Sequence, residues 1–114
     1  MRLAETKAIV EKAWDDREIL KEETTREHIR LVIDWLDKGK VRVAEPSGTG
    51  WMVNDWIKKA VILYFPIQQM ETIKADPFEY HDKIALKRGY RELGIRVVPN
   101  AIARYGSFIA PGVI

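Results

Sequence analysis

Two arginines stand at positions that an apolar stripe does not ask for. In the run Gly94-Ile95-Arg96-Val97-Val98-Pro99, an extended chain turns Arg96 away from Ile95 and Val97. In Ala101-Ile102-Ala103-Arg104-Tyr105-Gly106, Arg104 sits among small and apolar neighbours. A guanidinium carried on a rigid strand presents a planar fork that matches a carboxylate. The plainer reading of either residue is an exposed arginine or a structural ion pair.

Other residues with chemical capacity are less well placed. His28 lies on the edge of an apolar stripe, and His81 is followed by Asp82. An Asp-His pair can orient a general base, but neighbours in extended chain point to opposite sides. Ser47 and Ser107 are the only serines, and neither sits in a G-x-S-x-G elbow. The turn Ser47-Gly48-Thr49-Gly50 is glycine-rich, yet it lacks the spacing of a phosphate loop and lies between two apparent strands. It reads as a hairpin turn. Trp14, Trp35, Trp51 and Trp56 could stack bases, and Lys58, Lys59, Lys83, Lys87, Arg88 and Arg91 could meet phosphates. Nearby acids offset those cations, so core aromatics and a mixed solvated face are the simpler reading.

Composition narrows the function classes. The 114 residues carry 19 Lys and Arg against 17 Asp and Glu, a formal charge of +2, too small to imply nucleic acid or an anionic membrane. No cysteine is present, which excludes disulfides, thiolate nucleophiles and cysteine zinc sites. Two histidines are too few for most zinc or non-haem iron sets. The longest uncharged apolar run, Ala60 to Ile67, is far short of the roughly 20 residues that span a bilayer. The N-terminus has no continuous apolar stretch of the secretory kind. These features lead us to expect a cytoplasmic protein of one domain without a bound metal.

The elements that must position Arg96 follow from hydrophobic spacing. Leu3, Ile9, Val10, Ala13 and Trp14 predict a helix over 3–19. Thr24 and Glu27 have capping-box spacing ahead of a second helix with stripe Ile29, Val32, Ile33 and Leu36, stopped by Gly39. A short polar link between them predicts a helical hairpin. Val41 and Val43 read as a strand, 46–50 as the turn and 51–53 as the return strand of a β-hairpin. Asn54 can cap a third helix over 55–65, ended by Pro66; a buried strand across 60–65 is the rival reading. Residues 68–94 are less regular, with a turn at Asp76-Pro77, extended chain through Phe78, Tyr80, Ile84 and Leu86, and a short turn or helix between Gly89 and Gly94. Residues 95–98 read as a strand ending at Pro99. The expected class is α/β in the α+β sense.

Several strings then fall into a known order. Arg42-Val43-Ala44-Glu45, the W-x-V-N-D-W-I-K-K-A-V-I-L run at 51–63, Tyr80-His81-Asp82-Lys83-Ile84, Gly94 to Pro99 and Ala103 to Ile114 together resemble the tetrahydrodipicolinate N-succinyltransferase family. The resemblance runs through nearly the whole chain but covers only the start of that family's sequence. Ala85 departs from the pattern, since family members often carry proline there.

The resemblance implies a small α/β domain over 1–100, with 101–114 opening a left-handed parallel β-helix of hexapeptide repeats. Residues 109–114 look like the first hexapeptide turn, and one turn cannot stand alone because each repeat buries its apolar face on a neighbour. It implies a homotrimer, a dicarboxylate acceptor and succinyl-CoA as co-substrate in diaminopimelate and lysine biosynthesis. The family's catalytic acids and coenzyme A site would lie beyond Ile114, leaving Arg96 as the substrate-carboxylate residue of this chain. This chain alone is then expected to be inactive and to bind no cofactor. A non-enzymatic scaffold or partner-docking module, using the apolar tail Phe108 to Ile114, is the alternative. Nucleic-acid binding is a weaker third reading.

Overall fold

A computed structural model describes residues 2–114 of the chain. Three helices form its core. Helix α1 spans Leu3–Asp15, α2 spans Glu23–Asp37 and α3 spans Asp55–Ile67, and all three pack on one another. Val10 and Ala13 of α1, Ile29, Val32 and Ile33 of α2, and Ile57, Ala60 and Leu63 of α3 are buried at three- and four-residue spacings. Ile84, from the chain beyond the helices, joins the same cluster.

The helices hold, with altered ends. α1 stops at Asp15 and leaves Leu3 exposed; residues 17–21 form a 3-10 turn instead of the last helical turns. Asp16 Oδ1 accepts from the Glu18 amide at 3.1 Å, and this local cap starts the turn. The expected capping box is absent. α2 begins at Glu23, so Thr24 falls inside the first turn and cannot act as its cap. Gly39 does stop α2: at φ 72° it lets Lys40 N–H reach the Trp35 carbonyl at 2.8 Å.

In α3 the helical reading of 60–65 prevails over the strand. The helix continues through Pro66 and ends one residue later at Ile67, where the proline, lacking an N–H to bond back, allows no further turn. Its apolar second half buries Leu63, Tyr64 and Ile67 and leaves Ile62 and Phe65 exposed. Asn54 precedes the helix without capping it; its Nδ2 donates instead to the Arg42 carbonyl at 2.7 Å.

Two antiparallel hairpins flank this core. Strands β1, Ala44–Ser47, and β2, Gly50–Val53, pair with Ala44 opposite Val53 and Ser47 opposite Gly50. The first strand therefore lies later than Val41 and Val43 suggested, and the loop shrinks to Gly48-Thr49. Gly48 takes φ 58°, as a two-residue hairpin turn requires. Strands β3, Glu71–Ala75, and β4, Phe78–Asp82, pair around Asp76-Pro77, so part of the region expected to be irregular is a hairpin. The reading 95–98 as a strand is corrected. Those residues are extended but belong to neither sheet, and a one-turn helix α4, Tyr90–Leu93, precedes them.

Candidate functional site

Arg96 owes its position to the way α4 ends. Gly94 adopts φ 72°, and this left-handed residue lets two capping bonds form. The Gly94 amide donates to the Arg91 carbonyl at 3.2 Å, and the Ile95 amide donates to the Tyr90 carbonyl at 3.1 Å. That pair of bonds is a Schellman motif, a tight reversal that satisfies carbonyls at a helix C-terminus. Ile95, the residue after the reversal, is buried and anchors the turn.

A second set of bonds fixes the chain beyond. The Arg96 amide donates to the Val113 carbonyl at 3.0 Å, and the Gly112 amide donates to the Gly94 carbonyl at 2.7 Å. Residues 94–96 are thus held on both sides. Arg96 leaves this frame exposed, and its guanidinium has no side-chain partner among the described residues. It borders an open groove of about 550 Å³ whose other walls include Tyr90, Arg91, Ile95 and Val113. Two arginines and a phenol beside apolar wall bring together the kinds of donor and surface that an organic anion would need.

Tyr90 also borders a second hollow, of about 600 Å³, on its other side. Its walls are chiefly apolar and aromatic, from Phe78, Tyr80 and Ile102, and Arg88 lines it as well. Lys87 lines it too, but its ammonium is turned to Asp37 at 2.7 Å.

The remaining candidates resolve into structural roles. Arg104 is an ion-pair residue: its Nη2 donates to Asp82 Oδ2 at 2.8 Å. The backbone amide of Lys83 and the charge of Arg104 hold the Asp82 carboxyl below its ordinary value, against a smaller opposing effect of burial. His28 is buried in the core, where Nδ1 shares a 2.8 Å hydrogen bond with Thr6 Oγ1. His81 lies on exposed β4 and meets Thr72 at 3.4 Å, so Asp82 does not orient it. Ser107 donates to the Arg104 carbonyl at 2.8 Å, and Ser47 ends β1 opposite Gly50.

Of the tryptophans, Trp35 and Trp56 are core residues. Trp14 packs against that core and carries Arg17 at 4.9 Å from its ring centre. Trp51 breaks the pattern, standing exposed on β2. No group of three or more potential metal ligands occurs among the described residues. No helix there is long and apolar enough to cross a membrane.

Sequence reasoning singled out Arg96 and missed its company. Arg91 was read only as one of several basic residues. Its signal was the bracket Gly89 to Gly94, which sets both ends of α4.

Comparison with known proteins agrees with the motifs. The family model described as tetrahydrodipicolinate N-succinyltransferase N-terminal matches residues 5–67. The 2,3,4,5-tetrahydropyridine-2,6-dicarboxylate N-succinyltransferase of Aeromonas salmonicida is 42% identical, over 98% of this chain and 44% of the relative. The protein of that name from Thioalkalivibrio sulfidiphilus is 40% identical, over 98% of this chain and 45% of its own. The one from Cupriavidus necator is 40% identical, over 94% and 43% respectively. The chain therefore spans less than half the length of these relatives. Arg96 lies outside the residues that the family model matches.

Proposed function

Because the chain belongs to the tetrahydrodipicolinate N-succinyltransferase N-terminal family, we propose that it is the N-terminal domain of an enzyme that succinylates tetrahydrodipicolinate on the route to diaminopimelate and lysine. In this reading the domain supplies one wall of the dicarboxylate pocket. Arg96 binds a substrate carboxylate there. The observation that carries the reading is the Arg96 guanidinium, without a side-chain partner among the described residues, beside a groove and on a backbone bonded on either side.

The reaction joins an amine to an acyl group. Hydration and ring opening of the acceptor expose an amine, which attacks the carbonyl carbon of the succinyl thioester. The carbon–sulfur bond breaks as the amide bond forms. The proton lost by the amine passes to a carboxylate base, and the coenzyme A thiol leaves. The base and the coenzyme A site would belong to sequence following Ile114. Arg96 contributes by placing the acceptor so that its amine faces the thioester.

The proposed β-helix draws support from the chain's return on itself. Gly112 bonds to Gly94, eighteen residues earlier, a distance equal to three hexapeptides. Val98, Ile102, Phe108, Val113 and Ile114 are all exposed along this segment. A solenoid coil leaves such a face for the next coil to cover. The radius of gyration, 15.8 Å, exceeds the roughly 13 Å typical of a compact domain of this length, as expected if further structure fills the shape. We place 1–100 in the α/β domain, its last residues from Gly94 lying against the β-helix start at 101–114, and the active form is a cytoplasmic homotrimer.

The test is kinetic. In the enzyme that carries this domain, Arg96→Ala should raise the KM for the dicarboxylate at least tenfold while leaving that for succinyl-CoA nearly unchanged, as loss of a charged hydrogen bond predicts. Equal effects on both substrates would remove the carboxylate role.

A further inference from the structure

We infer that Arg91 is the second anion-binding residue of the Arg96 groove, and that the two arginines together select a diacid over a monoacid. The inference rests on the carboxylate role proposed for Arg96 and extends it to the other end of the ligand.

The geometry begins with the Schellman motif. Arg91 lies in α4 and Arg96 just past the reversal, so the capping bonds to Tyr90 and Arg91 set the spacing of the two residues. Both line the same groove. The backbone that carries them is tied down again by the bonds to Gly112 and Val113. The two backbone positions on so fixed a frame are set before any ligand arrives, so only the two side chains remain to be ordered on binding.

Charge makes the same point. Arg26, Arg30 and Arg104 all donate to oxygen acceptors, and Arg17 lies over Trp14. Neither Arg91 nor Arg96 has such a partner among the described residues. No carboxylate side chain lines the groove. Glu92, next in α4, has its Oε2 near Gly89 at the other end of the helix. Two like charges facing one groove repel each other, and a ligand with two carboxylates removes that repulsion while each fork takes one carboxylate. A monoacid can satisfy only one of them. The relatives' name contains a 2,6-dicarboxylate, whose acid groups flank a ring nitrogen at two separate carbons.

The experiment uses two probes on the enzyme that carries this domain. Pyridine-2,6-dicarboxylate and pyridine-2-carboxylate are each measured as competitive inhibitors against the acceptor substrate. Arg91→Gln should weaken the diacid about tenfold or more and leave the monoacid within about twofold, the pattern of one lost charged hydrogen bond. Arg91→Lys keeps the charge but not the fork, and should restore part of the diacid affinity. Arg96→Gln should weaken both acids. If Arg96→Gln weakens both acids while Arg91→Gln changes neither, or changes both equally, the role of Arg91 falls and that of Arg96 stands. If Arg96→Gln changes neither acid, the proposed carboxylate site falls, and this inference falls with it. Arg91 is exposed, so its variants should melt with the parent, and the affinities then report on binding alone.

Discussion

Lys87 Nζ lies 2.7 Å from Asp37 Oδ1, fifty residues earlier in the chain. The same ammonium donates to the Asp37 carbonyl at 3.2 Å, and Oδ1 also accepts from the Gly106 amide at 3.0 Å. One carboxylate at the end of α2 thereby ties down both the 83–89 loop and the chain beyond Arg104. The Lys87 side chain is only 4% exposed, so its charge depends on this partner. Asp37→Ala should cost about 3 kcal/mol, because it strands a buried ammonium and a backbone N–H. Lys87→Met should cost less, since the Asp37 carboxylate keeps the Gly106 amide and partial access to water. Urea midpoints at unchanged slope would show the order; a larger loss in Lys87→Met would contradict it.

Thr6 and His28 make a further buried polar contact, 2.8 Å between Oγ1 and Nδ1. Thr6 is fully buried. Thr6→Val keeps the volume and leaves Nδ1 without its partner. The expected loss is about 1–3 kcal/mol, read from chemical unfolding. A neutral result would mean that water or a side-chain shift satisfies the ring.

Stability should fall at both ends of the pH scale. Hydrogen bonding from Lys38, and then from Tyr105, holds the Asp34 carboxyl below its ordinary 3.8 despite some burial. A lowered acid stabilises the fold above the unfolded value and loses that contribution as pH falls through the folded value. Burial, and then its hydrogen bond to Asp34, pushes the Tyr105 phenol far above its ordinary 10.0. Its contribution is present below pH 10.0 and is lost as pH rises from there toward the folded value. Asp34→Asn should flatten the acid limb below pH 3.8, and Tyr105→Phe the alkaline limb above pH 10.0. Unfolding free energies across pH test both; unchanged limbs would show that other groups govern them.

Gly39 and Phe108 meet where α2 ends. A Cβ on Gly39 would stand 2.8 Å from the Phe108 ring, and φ there is 72°. Gly39→Ala should destabilise by about 1–2 kcal/mol from the left-handed conformation alone, with ring displacement added. Gly94→Ala has the same backbone cost, but its Cβ would find only ordinary contact with Pro111 at 3.6 Å. The Gly39 variant should therefore melt lower. A lower melting point for Gly94→Ala would contradict the steric argument.

Much of this protein was legible in its residues. The three helices, their buried faces, the Gly39 stop and the presence of a hairpin turn within 46–50 rest on spacings within a few residues, where side-chain direction follows from local geometry. Arg96 stood out because an extended chain cannot bury it with Ile95 and Val97. Family motifs were legible for the same reason, being short strings read in order. Pairing was a different matter. Val41 and Val43 alternate like a strand, yet the turn moved the pairing to 44–47. Residues 71–75 carry too weak an alternation to announce β3 without its partner β4. The contact of Lys87 with Asp37 exists only once the chain after β4 has come back against the end of α2, and the groove shared by Arg91 and Arg96 only once the chain has reversed at Gly94. Local spacing determines which face of an element is apolar. Which distant charge meets that element depends on loop closure and packing across the whole chain, and only the tertiary structure decides it.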